Sequence, residues 1–230
     1  MANFLVTGGS GDIGRAVIDA LLAAGHTAVC HYHHADLAVL TARWDDRVTY
    51  WQADLTAGLA VRPDFFEQLD GVIYSAGTAQ FGLLQDETAE AVDRQYMIHL
   101  KNLITVVQWI IPTLVRRRCG NIVVISSIWG ETGAAMEAVY SAMKAGQLGL
   151  VKAMAKELAP SHITVNAVTP GLVSGRMTAA LEELPLILED IPQGELVTPE
   201  EVAHMVLYLL HERSRHVTGQ VMRINAGWLI

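Results

Sequence analysis

The chain alternates short apolar runs with longer stretches in which apolar residues recur at helical spacing. The apolar runs predict strands at residues 3–7, 27–32, 48–53, 72–75, 121–126, 163–168 and 221–224. The helical spacing predicts helices at about residues 12–24, 87–118 (broken at most once), 138–158 and 199–211. No repeat or Pro/Gly/Ser-rich linker divides this pattern, so we expect one domain over residues 1–230.

Some predicted strands are apolar at every position, as at residues 122–125. Such a strand must be covered on both faces, which is typical of a parallel sheet between two helix layers. The strand–helix alternation therefore predicts an α/β, Rossmann-type doubly wound fold, with a seven-stranded, mostly parallel sheet and helices on both faces. Ligands of such folds bind beyond the carboxyl ends of the strands, so we expect the chemistry in the loops after strands.

Composition and charge narrow the range of partners. The formal net charge of −8 argues against nucleic acid and against an anionic membrane surface, since both require a positive field. The basic run at residues 116–118 precedes Gly120, which we expect to end a helix. Cys30 and Cys119 lack metal-ligand spacing and, with no signal peptide, indicate the cytoplasm. No apolar run approaches the roughly 18–20 residues of a membrane span, so no membrane partner is expected.

A glycine-rich turn, Thr-Gly-Gly-Ser-Gly-Asp-Ile-Gly at residues 7–14, joins the first predicted strand to the first helix. Glycine lets the backbone approach a pyrophosphate, and the helix start offers free N–H groups and a positive dipole end. The turn therefore predicts a nucleotide-binding loop. Its expected cofactor contacts are Gly8, Ser10, Gly11, Asp12, Ile13 and Gly14. Asp54, after the third strand, either binds an adenine amino group or is the N-cap of a helix in the following segment.

A candidate catalytic group of three residues lies further along the chain. Tyr140 and Lys144 lie four residues apart in a helical pattern, so both project from one face. A lysine cation near a phenol favours the phenolate, so we expect Lys144 to lower the pKa of Tyr140. Ser127 ends a buried strand, where a catalytic hydroxyl would be displayed. A loop with Gly130 and Gly133 then returns the chain to the helix of Tyr140.

In these features the chain resembles the single-domain branch of the short-chain dehydrogenase/reductase family. The resemblance extends from Thr7 to Gly227 and looks most like 3-oxoacyl-carrier-protein reductases. It rests on the glycine turn, Ser127, the Tyr-x-x-x-Lys pair at 140–144, Ser-Ala-Gly at 75–77, Asn-Ala-Val-Thr-Pro-Gly at 166–171, Thr-Gly-Gln at 218–220 and Asn-Ala-Gly at 225–227.

The resemblance implies that a hydride passes from a nicotinamide ring to a carbonyl carbon. Ser127 would hold the carbonyl oxygen, Tyr140 would protonate it, and Lys144 would bind the nicotinamide ribose and depress the tyrosine pKa. The cofactor would supply the hydride, and the protein orientation and a proton. Among further cofactor contacts, the resemblance implies that Asp54 touches the adenine, that Ala76 and Gly77 line the adenosine ribose and that Val173 receives the carboxamide. The other cofactor contacts expected are Leu55, Ser75, Pro170, Gly171 and Ser174.

Three positions depart from the family's pattern. Asp12 stands where this branch has glycine, and we expect it to cap the helix, with a charge mildly unfavourable beside phosphates. His99 stands where the family has an active-site Asn that holds a water in the proton relay. It either takes over that role, exchanging protons near neutral pH, or is a tolerated core histidine. Gly175 replaces a frequent threonine, whose contact either passes to Ser174 or is absent.

The end of the second strand bears on the choice of nicotinamide. An acid there would bind the adenosine ribose of NAD, but the position is Tyr32, and no acid occurs before Asp36. His33 or His34 takes the basic place, so NADP(H) is favoured, with NAD(H) still open. No metal is expected, because strand alternation puts His31 and His33 together, leaves His34 apart and offers no fourth ligand.

The expected reaction is NADPH-dependent reduction of a ketone to a secondary alcohol, on a small-molecule or carrier-bound carbonyl substrate. Residues 174–195 follow the sixth strand, where this family carries its lid, and their apolar side chains fit either a lid or a subunit contact. Those side chains are Met177, Leu181, Leu184, Leu186, Ile187 and Leu188. A carrier protein would need a basic patch from Arg94, Lys101 or residues 116–118.

Two other functions stay open, and assembly is expected. Residues 126–133 and the Gly227-Trp228 ending also resemble a relative that reduces a ketone-bearing modification on elongation factor P. A non-catalytic NAD(P)-binding sensor would keep the glycine turn but commonly lose the Tyr/Lys pair. The family pairs the helix of Tyr140 across a subunit interface, so we expect a homotetramer or homodimer. The small residues on that helix are Ala142, Ala145, Gly146, Gly149 and Ala153.

Overall fold

Seven parallel strands form one sheet in the computed structural model, which describes residues 1–179 and 184–230. The strands are β1 (Asn3–Thr7), β2 (Thr27–Tyr32), β3 (Val48–Gln52), β4 (Gly71–Tyr74), β5 (Gly120–Ile125), β6 (Ile163–Pro170) and β7 (Val221–Ile224). Their order is β3-β2-β1-β4-β5-β6-β7, and all neighbouring pairs are parallel. The predicted strand bounds agree to within two residues, and the Rossmann-type doubly wound fold is confirmed.

Helices cover both faces of this sheet. They are α1 (Asp12–Ala23), α2 (Leu37–Arg43), α3 (Ala89–Tyr96), α4 (Asn102–Arg117), α5 (Trp129–Thr132), α6 (Ala138–Leu158), α7 (Arg176–Ala179), α8 (Leu184–Asp190) and α9 (Pro199–Leu210). On one face α4 and α6 pack against the strands, and on the other face α1 and α9 do. The sequence pattern does not predict α2, α5, α7 or α8, because they have too few turns to show a helical period.

The packing explains why the central strands are apolar throughout. Along β5, Ile122 and Val124 pack in the layer of α4 and α6, whereas Val123 and Ile125 pack in the layer of α1 and α9. Each of these side chains is at most 5% exposed, and burying one stabilises the fold by about 1.5–3 kcal/mol. Because successive side chains of a strand point to opposite faces, an unpaired polar residue at any of these positions would lose its water.

A π-helical turn, Met97–Lys101, joins α3 to α4, so the helix predicted over residues 87–118 is one continuous helical stretch with a local change of pitch. Within the described part of the chain, Ala89–Arg117 is the one helical stretch long and apolar enough to cross a bilayer, yet half of its most apolar window is buried inside the protein. Leu103, Val106 and Ile110 are fully buried against the sheet. This is the packing of a core helix.

The end of α4 differs from the prediction. The helix ends at Arg117, its C-cap residue Arg118 adopts the left-handed conformation with φ of 51°, and the expectation that Gly120 ends it is wrong. Gly120 is the first residue of β5. Arg116 and Arg117 form ion pairs with acidic residues of the segment before β4. The basic run is therefore used in holding the helix end to its neighbours.

The segment predicted as a lid, residues 174–195, contains the short helices α7 and α8. In α8, Leu186 is exposed, while Leu184, Ile187 and Leu188 are partly buried. Leu181 and the side chain of Met177 lie outside the described residues.

Candidate active site

A cleft of about 450 Å³ opens at the carboxyl ends of the strands, where ligands of doubly wound folds bind. The loops after β1 to β6 line it, together with one face of α6. The predicted catalytic and cofactor-binding residues all lie in this lining except His34. The fold therefore brings together residues that are spread in sequence from Gly8 to Ser174.

The turn after β1 leaves no room for side chains. Gly8 has a φ of 66°, and a Cβ there would lie 2.9 Å from the Cα of Ala76, in the loop after β4. A Cβ at Gly14 would overlap the carbonyl oxygen of Gly8. Because α1 begins at this turn, the turn presents the free N–H groups of a helix start, which suit a pyrophosphate.

The expectation that Asp12 caps α1 is wrong, because the N-cap residue is Gly11 and no side chain bonds there. The Asp12 carboxylate instead accepts a hydrogen bond from the backbone N–H of Arg176 at 2.9 Å and lies 3.4 Å from its guanidinium. That guanidinium also donates to the Ser10 carbonyl. A Cβ at Gly175 would lie 2.5 Å from the Asp12 carboxylate, so glycine is needed there. The departures at Asp12 and Gly175 are therefore physically linked.

A hydroxyl close to Gly175 comes from Thr178, which the sequence analysis misses. Its hydroxyl accepts from the Gly175 N–H at 3.0 Å and donates to the Val173 carbonyl at 2.8 Å. The backbone N–H of Ser174 donates to the Val197 carbonyl at 2.8 Å, beside a parallel bridge between Val173 and Val197. Thr178 lines the cleft, and no sequence signal marks it because its place depends on the fold of α7.

His31 holds three strand ends together. Its Nδ1 accepts a hydrogen bond from the Gly8 N–H at 2.9 Å, and its Nε2 lies 3.1 Å from the Ala53 carbonyl, to which it donates. Burial lowers the pKa of His31 to about 4. Both ring nitrogens are thus occupied in a neutral ring. This role depends on the pairing of β1, β2 and β3, which the sequence pattern does not show.

The loop after β2 is basic only through histidine. Tyr32 is buried, while His33 lines the cleft, and the rings of His33 and His34 are 3.5 Å apart between centroids. His33 Nδ1 lies 3.7 Å from the Asp54 carboxylate. Asp54 accepts from the hydroxyl and the N–H of Thr56, and these bonds lower its pKa. Its alternative as a helix cap is wrong, because a turn follows it.

The loop after β4 is fixed from two sides. The Thr7 hydroxyl accepts hydrogen bonds from the N–H groups of Ser75 at 3.1 Å and Ala76 at 3.2 Å. A Cβ at Gly77 would lie 2.7 Å from Cε1 of His99. The small residues of this loop therefore let the ring of His99 reach the cleft.

Ser127, Tyr140 and Lys144 meet at the end of β5. The Ser127 hydroxyl oxygen accepts from the Trp129 N–H at 3.2 Å, and the serine is also a hydrogen-bonding partner of the Tyr140 phenol. Lys144 Nζ donates to the Ile125 carbonyl at 3.0 Å and lies 5.5 Å from the centre of the Tyr140 ring. The predicted Tyr/Lys spacing thus places both groups on one face of α6.

The charges in this group differ from the sequence expectation. Burial raises the pKa of Tyr140, and the hydrogen bond with Ser127 acts in the opposite direction. Burial lowers the pKa of Lys144 to about 7. The expectation that Lys144 brings the tyrosine pKa down is therefore wrong for this arrangement. The phenol is held in its protonated form, as a proton donor requires.

His99 lies in the π-helical turn and is fully buried. Its Nε2 is 2.9 Å from the Thr78 carbonyl, and its ring packs edge-on against Tyr140 with 5.5 Å between centroids. Burial and then the Lys144 charge lower the pKa of His99 to about 3. A pKa this low keeps the ring neutral near pH 7, which favours the tolerated core histidine of its two expected roles. Gln147 donates to the His99 carbonyl at 2.9 Å and fixes the turn.

Glu137 is a cleft residue that the sequence analysis misses. It is 9% exposed and precedes Tyr140 by one helical turn, as the N-cap residue of α6. Burial raises the pKa of its carboxyl to about 7, and a hydrogen bond from Trp129 acts in the opposite direction. The Trp129 ring meets Trp228 edge-on, with 5.0 Å between centroids. An acid with Tyr140 at helical spacing is the signal that could have found it.

Known proteins resemble this chain over its whole length. The family described as enoyl-(acyl carrier protein) reductase matches residues 9–229. The oxidoreductase YmfI of Bacillus subtilis is 36% identical over 235 residues, which cover 97% of each chain. The 3-oxoacyl-carrier-protein reductase FabG of Aquifex aeolicus is 32% identical over 236 residues, covering 97% of this chain and 95% of its own. This chain belongs to the short-chain dehydrogenase/reductase family.

A solved structure extends the likeness to three dimensions. A blue fluorescent protein from a metagenomic library, in complex with NADPH, has a TM-score of 0.88 at 25% identity, with 100% of this chain and 98% of that chain covered. This short-chain dehydrogenase/reductase is an oxidoreductase, with the parallel sheet of its relatives. The names of the relatives describe two reductions, one of a C=C bond and one of a C=O bond.

Proposed function

We propose that this chain reduces a ketone to a secondary alcohol with NADPH, in the manner of 3-oxoacyl-carrier-protein reductases. The observation that carries the proposal is the meeting of Ser127, Tyr140 and Lys144 in the same cleft as the glycine turn. Relatives named for this chemistry include FabG of Aquifex aeolicus and an acetoacetyl-CoA reductase of Shinella zoogloeoides, which is 33% identical over 97% of this chain. Two hydroxyls facing one point suit a carbonyl oxygen.

The residues of the cleft have different roles in the proposed reaction. The dinucleotide, when bound, supplies the hydride. Ser127 donates a hydrogen bond to the carbonyl oxygen and orients the substrate, and Tyr140 gives its phenolic proton to that oxygen. Lys144, whose Nζ lies 5.5 Å from the centre of the Tyr140 ring, would hold the nicotinamide ribose hydroxyls beside the phenol. The alcohol leaves, and solvent restores the proton of the Tyr140 phenol.

The cofactor is held along the rest of the cleft. Gly8 and Gly14 form the pyrophosphate cradle, because side chains there would collide with backbone. The remaining contacts assigned to it are Ser10, Gly11, Asp12, Ile13, Asp54, Leu55, Ser75, Ala76, Gly77, Pro170, Gly171, Val173 and Ser174. NADPH is preferred because no acid ends β2 and His33 stands in the basic place, with His34 beside it. The neighbour solved with NADPH supports this choice.

A purified-enzyme screen tests the proposal. Oxidation of NADPH is followed with acetoacetyl thioesters, β-ketoesters, simple ketones, quinones and pterins, and with an enoyl thioester as the competing C=C substrate. Turnover of ketones with a lower KM for NADPH than for NADH is expected. Turnover of the enoyl thioester alone, or a strong preference for NADH, would contradict the proposal.

A protein-bound ketone is the second candidate substrate. The two segments that resemble the elongation factor P relative, residues 126–133 and the Gly227-Trp228 ending, meet through the contact of Trp129 with Trp228. The test incubates the enzyme and NADPH with elongation factor P that carries the ketone. A gain of two hydrogens in its mass supports this candidate, and an unchanged mass eliminates it.

We also propose where the chain is located in the cell and how it assembles. We place the chain in the cytoplasm, where its free thiols at Cys30 and Cys119 stay reduced.

A homotetramer or homodimer forms through α6, whose exposed face carries Ala142, Ala145 and Gly149. Light scattering of the purified protein reports the assembly, and a monomer would contradict it. A carrier protein would dock near the exposed Arg94 and Lys101, since Arg116 and Arg117 of the basic run already form ion pairs.

A further inference from the structure

The wall of the cleft at the end of β2 lies where doubly wound folds hold the adenosine ribose of a dinucleotide. Tyr32 and His33 line the cleft there, together with Asp54 from the loop after β3. Asp36 is the first acid after β2, and its carboxylate accepts the Ala38 N–H at 2.8 Å as the N-cap of α2. That carboxylate is therefore used in starting a helix, and Asp36 lies outside the described lining of the cleft.

The lysine and the arginine of the described lining are held in other parts of the cleft. Lys144 lies beyond the end of β5, where its Nζ donates to the Ile125 carbonyl at 3.0 Å. The Arg176 guanidinium lies 3.4 Å from the Asp12 carboxylate and donates to the Ser10 carbonyl in the glycine turn. A phosphate on the adenosine ribose must therefore find its positive charge in histidine.

His33 is the histidine of the described lining that is free to carry this charge. Burial lowers the pKa of His31 to about 4 and that of His99 to about 3, so both rings are neutral near pH 7. His33 is partly exposed, and its Nδ1 lies 3.7 Å from the Asp54 carboxylate. Hydrogen bonds from Thr56 lower the pKa of Asp54, which makes this carboxylate a counter-ion for a protonated imidazole.

The surroundings of His33 limit its charge to one proton. The ring of His34, in the same loop, lies 3.5 Å from that of His33 between centroids. Two imidazolium charges at this distance would repel each other, so the pair of rings carries one proton more readily than two. The titratable and charged groups that face His33 are thus His34 in its own loop, His31 on β2 and Asp54 after β3.

We infer that His33 selects between the two nicotinamide cofactors through the charge of its imidazole, so that the preference for NADPH over NADH weakens as the pH rises. This rests on the proposed function, which gives His33 the basic place at the end of β2. Histidine changes charge between pH 5 and 8. A phosphate monoester such as the 2′-phosphate of NADPH is mostly a dianion above its second pKa of about 6. At pH 6.5 an imidazolium meets this dianion, and at pH 8.5 a neutral ring meets it beside the Asp54 carboxylate.

Titration of cofactor fluorescence tests this inference without a ketone substrate. The dissociation constants of NADPH and NADH are measured at pH 6.5 and at pH 8.5, at one ionic strength. The ratio of the NADH constant to the NADPH constant gives the preference, and effects of pH on the parts of the cleft that both cofactors share cancel in it. For the wild type this ratio should fall at least threefold between the two pH values.

Two variants separate the charge of His33 from its ring. His33→Arg carries a charge at both pH values and should keep its preference for NADPH without the fall. His33→Gln carries no charge and should give a low ratio at both pH values. The control His204→Gln removes an exposed imidazole of α9 outside the described cleft lining and should keep the fall seen in the wild type.

The outcomes distinguish this inference from the proposed function. A wild type that prefers NADPH equally at both pH values keeps the proposed cofactor and overturns the role of His33. A fall that persists in His33→Gln or in His33→Arg also overturns that role. A wild type that binds NADH more tightly at both pH values contradicts the cofactor of the proposed function, and with it the inference.

Discussion

His99 shows how a single replaced residue is accommodated at an active site. Its ring donates to the Thr78 carbonyl, packs on Tyr140 and needs the missing side chain of Gly77. It is neutral in the folded protein, because burial holds its pKa at about 3. The residue therefore acts through shape and one hydrogen bond, and no proton need pass through it.

His99→Asn should keep substantial activity, within about tenfold in kcat/KM, because an asparagine amide can also donate to the Thr78 carbonyl. Gly77→Ala should be damaging beside the imidazole of His99. It should be much better tolerated in the double variant His99→Asn/Gly77→Ala, because the asparagine side chain is shorter than the histidine ring. Steady-state kinetics of the three variants, with circular dichroism as the folding check, measure this. A folded His99→Asn protein without activity would show that the imidazole has a dedicated role.

Contacts between elements fix the two walls of the cofactor cleft. The start of α1 and the start of α7 are joined by Asp12 and Arg176, residues far apart in sequence. The contact ties Arg176 to the glycine turn, and the missing side chain of Gly175 makes room for it. Neither Asp12 nor Arg176 alone indicates this contact in the sequence.

Gly175→Thr should therefore weaken cofactor binding at least fivefold, because its side chain displaces the Asp12 carboxylate. The double variant Asp12→Gly/Gly175→Thr should recover most of the loss, since the colliding group is gone. Titration of NADPH fluorescence gives the dissociation constants for a double-mutant cycle. Additive effects of the two substitutions would contradict the proposed link.

At the scale of the whole molecule, acid pH lowers the free energy of unfolding through histidines that are buried in their neutral form. Burial lowers the pKa of His31 to about 4 and that of His99 to about 3. Between pH 4.5 and 6.5 the unfolded chain therefore binds protons at these histidines that the folded protein does not bind. The contribution of these histidines to the free energy of unfolding is therefore fully present above pH 6.5 and is lost as the pH falls. Glu137, whose pKa is raised to about 7, contributes the opposite slope over this range. Among these three groups the difference between the unfolded and folded chain is about one proton, which corresponds to about 1.4 kcal/mol per pH unit.

His99→Asn should lower the pH slope of the free energy of unfolding by about one proton between pH 4.5 and 6.5, and the exposed His34→Asn should leave it unchanged. Urea unfolding at several pH values measures the free energy of unfolding for the three proteins. A wild-type slope that His99→Asn leaves intact would mean that this ring is charged in the fold.

The sequence predicts the scaffold better than the contacts within the site. Val123 and Ile125 are apolar because both sheet faces are covered, so such runs mark strands reliably. Loops after those strands then had to meet, which is why Ser127 and Tyr140 could be paired from the sequence. Glu137 is one acid in a polar loop, and its burial exists only after α5 and α6 fold over it. The same holds for His31, whose ring nitrogens bond to residues from neighbouring strands.

Tyr140→Phe tests the central claim most directly, because it deletes one hydroxyl and keeps the ring that packs on His99. The matched control is Tyr208→Phe, at an exposed position of α9 outside the cleft. NADPH oxidation with a ketone that the wild type reduces gives turnover, and NADPH fluorescence gives cofactor binding. The account predicts that Tyr140→Phe loses turnover by at least a thousandfold, binds NADPH within about threefold of the wild type, and differs from an unaffected Tyr208→Phe. A Tyr140→Phe enzyme that still reduces the ketone at the wild-type rate would contradict it.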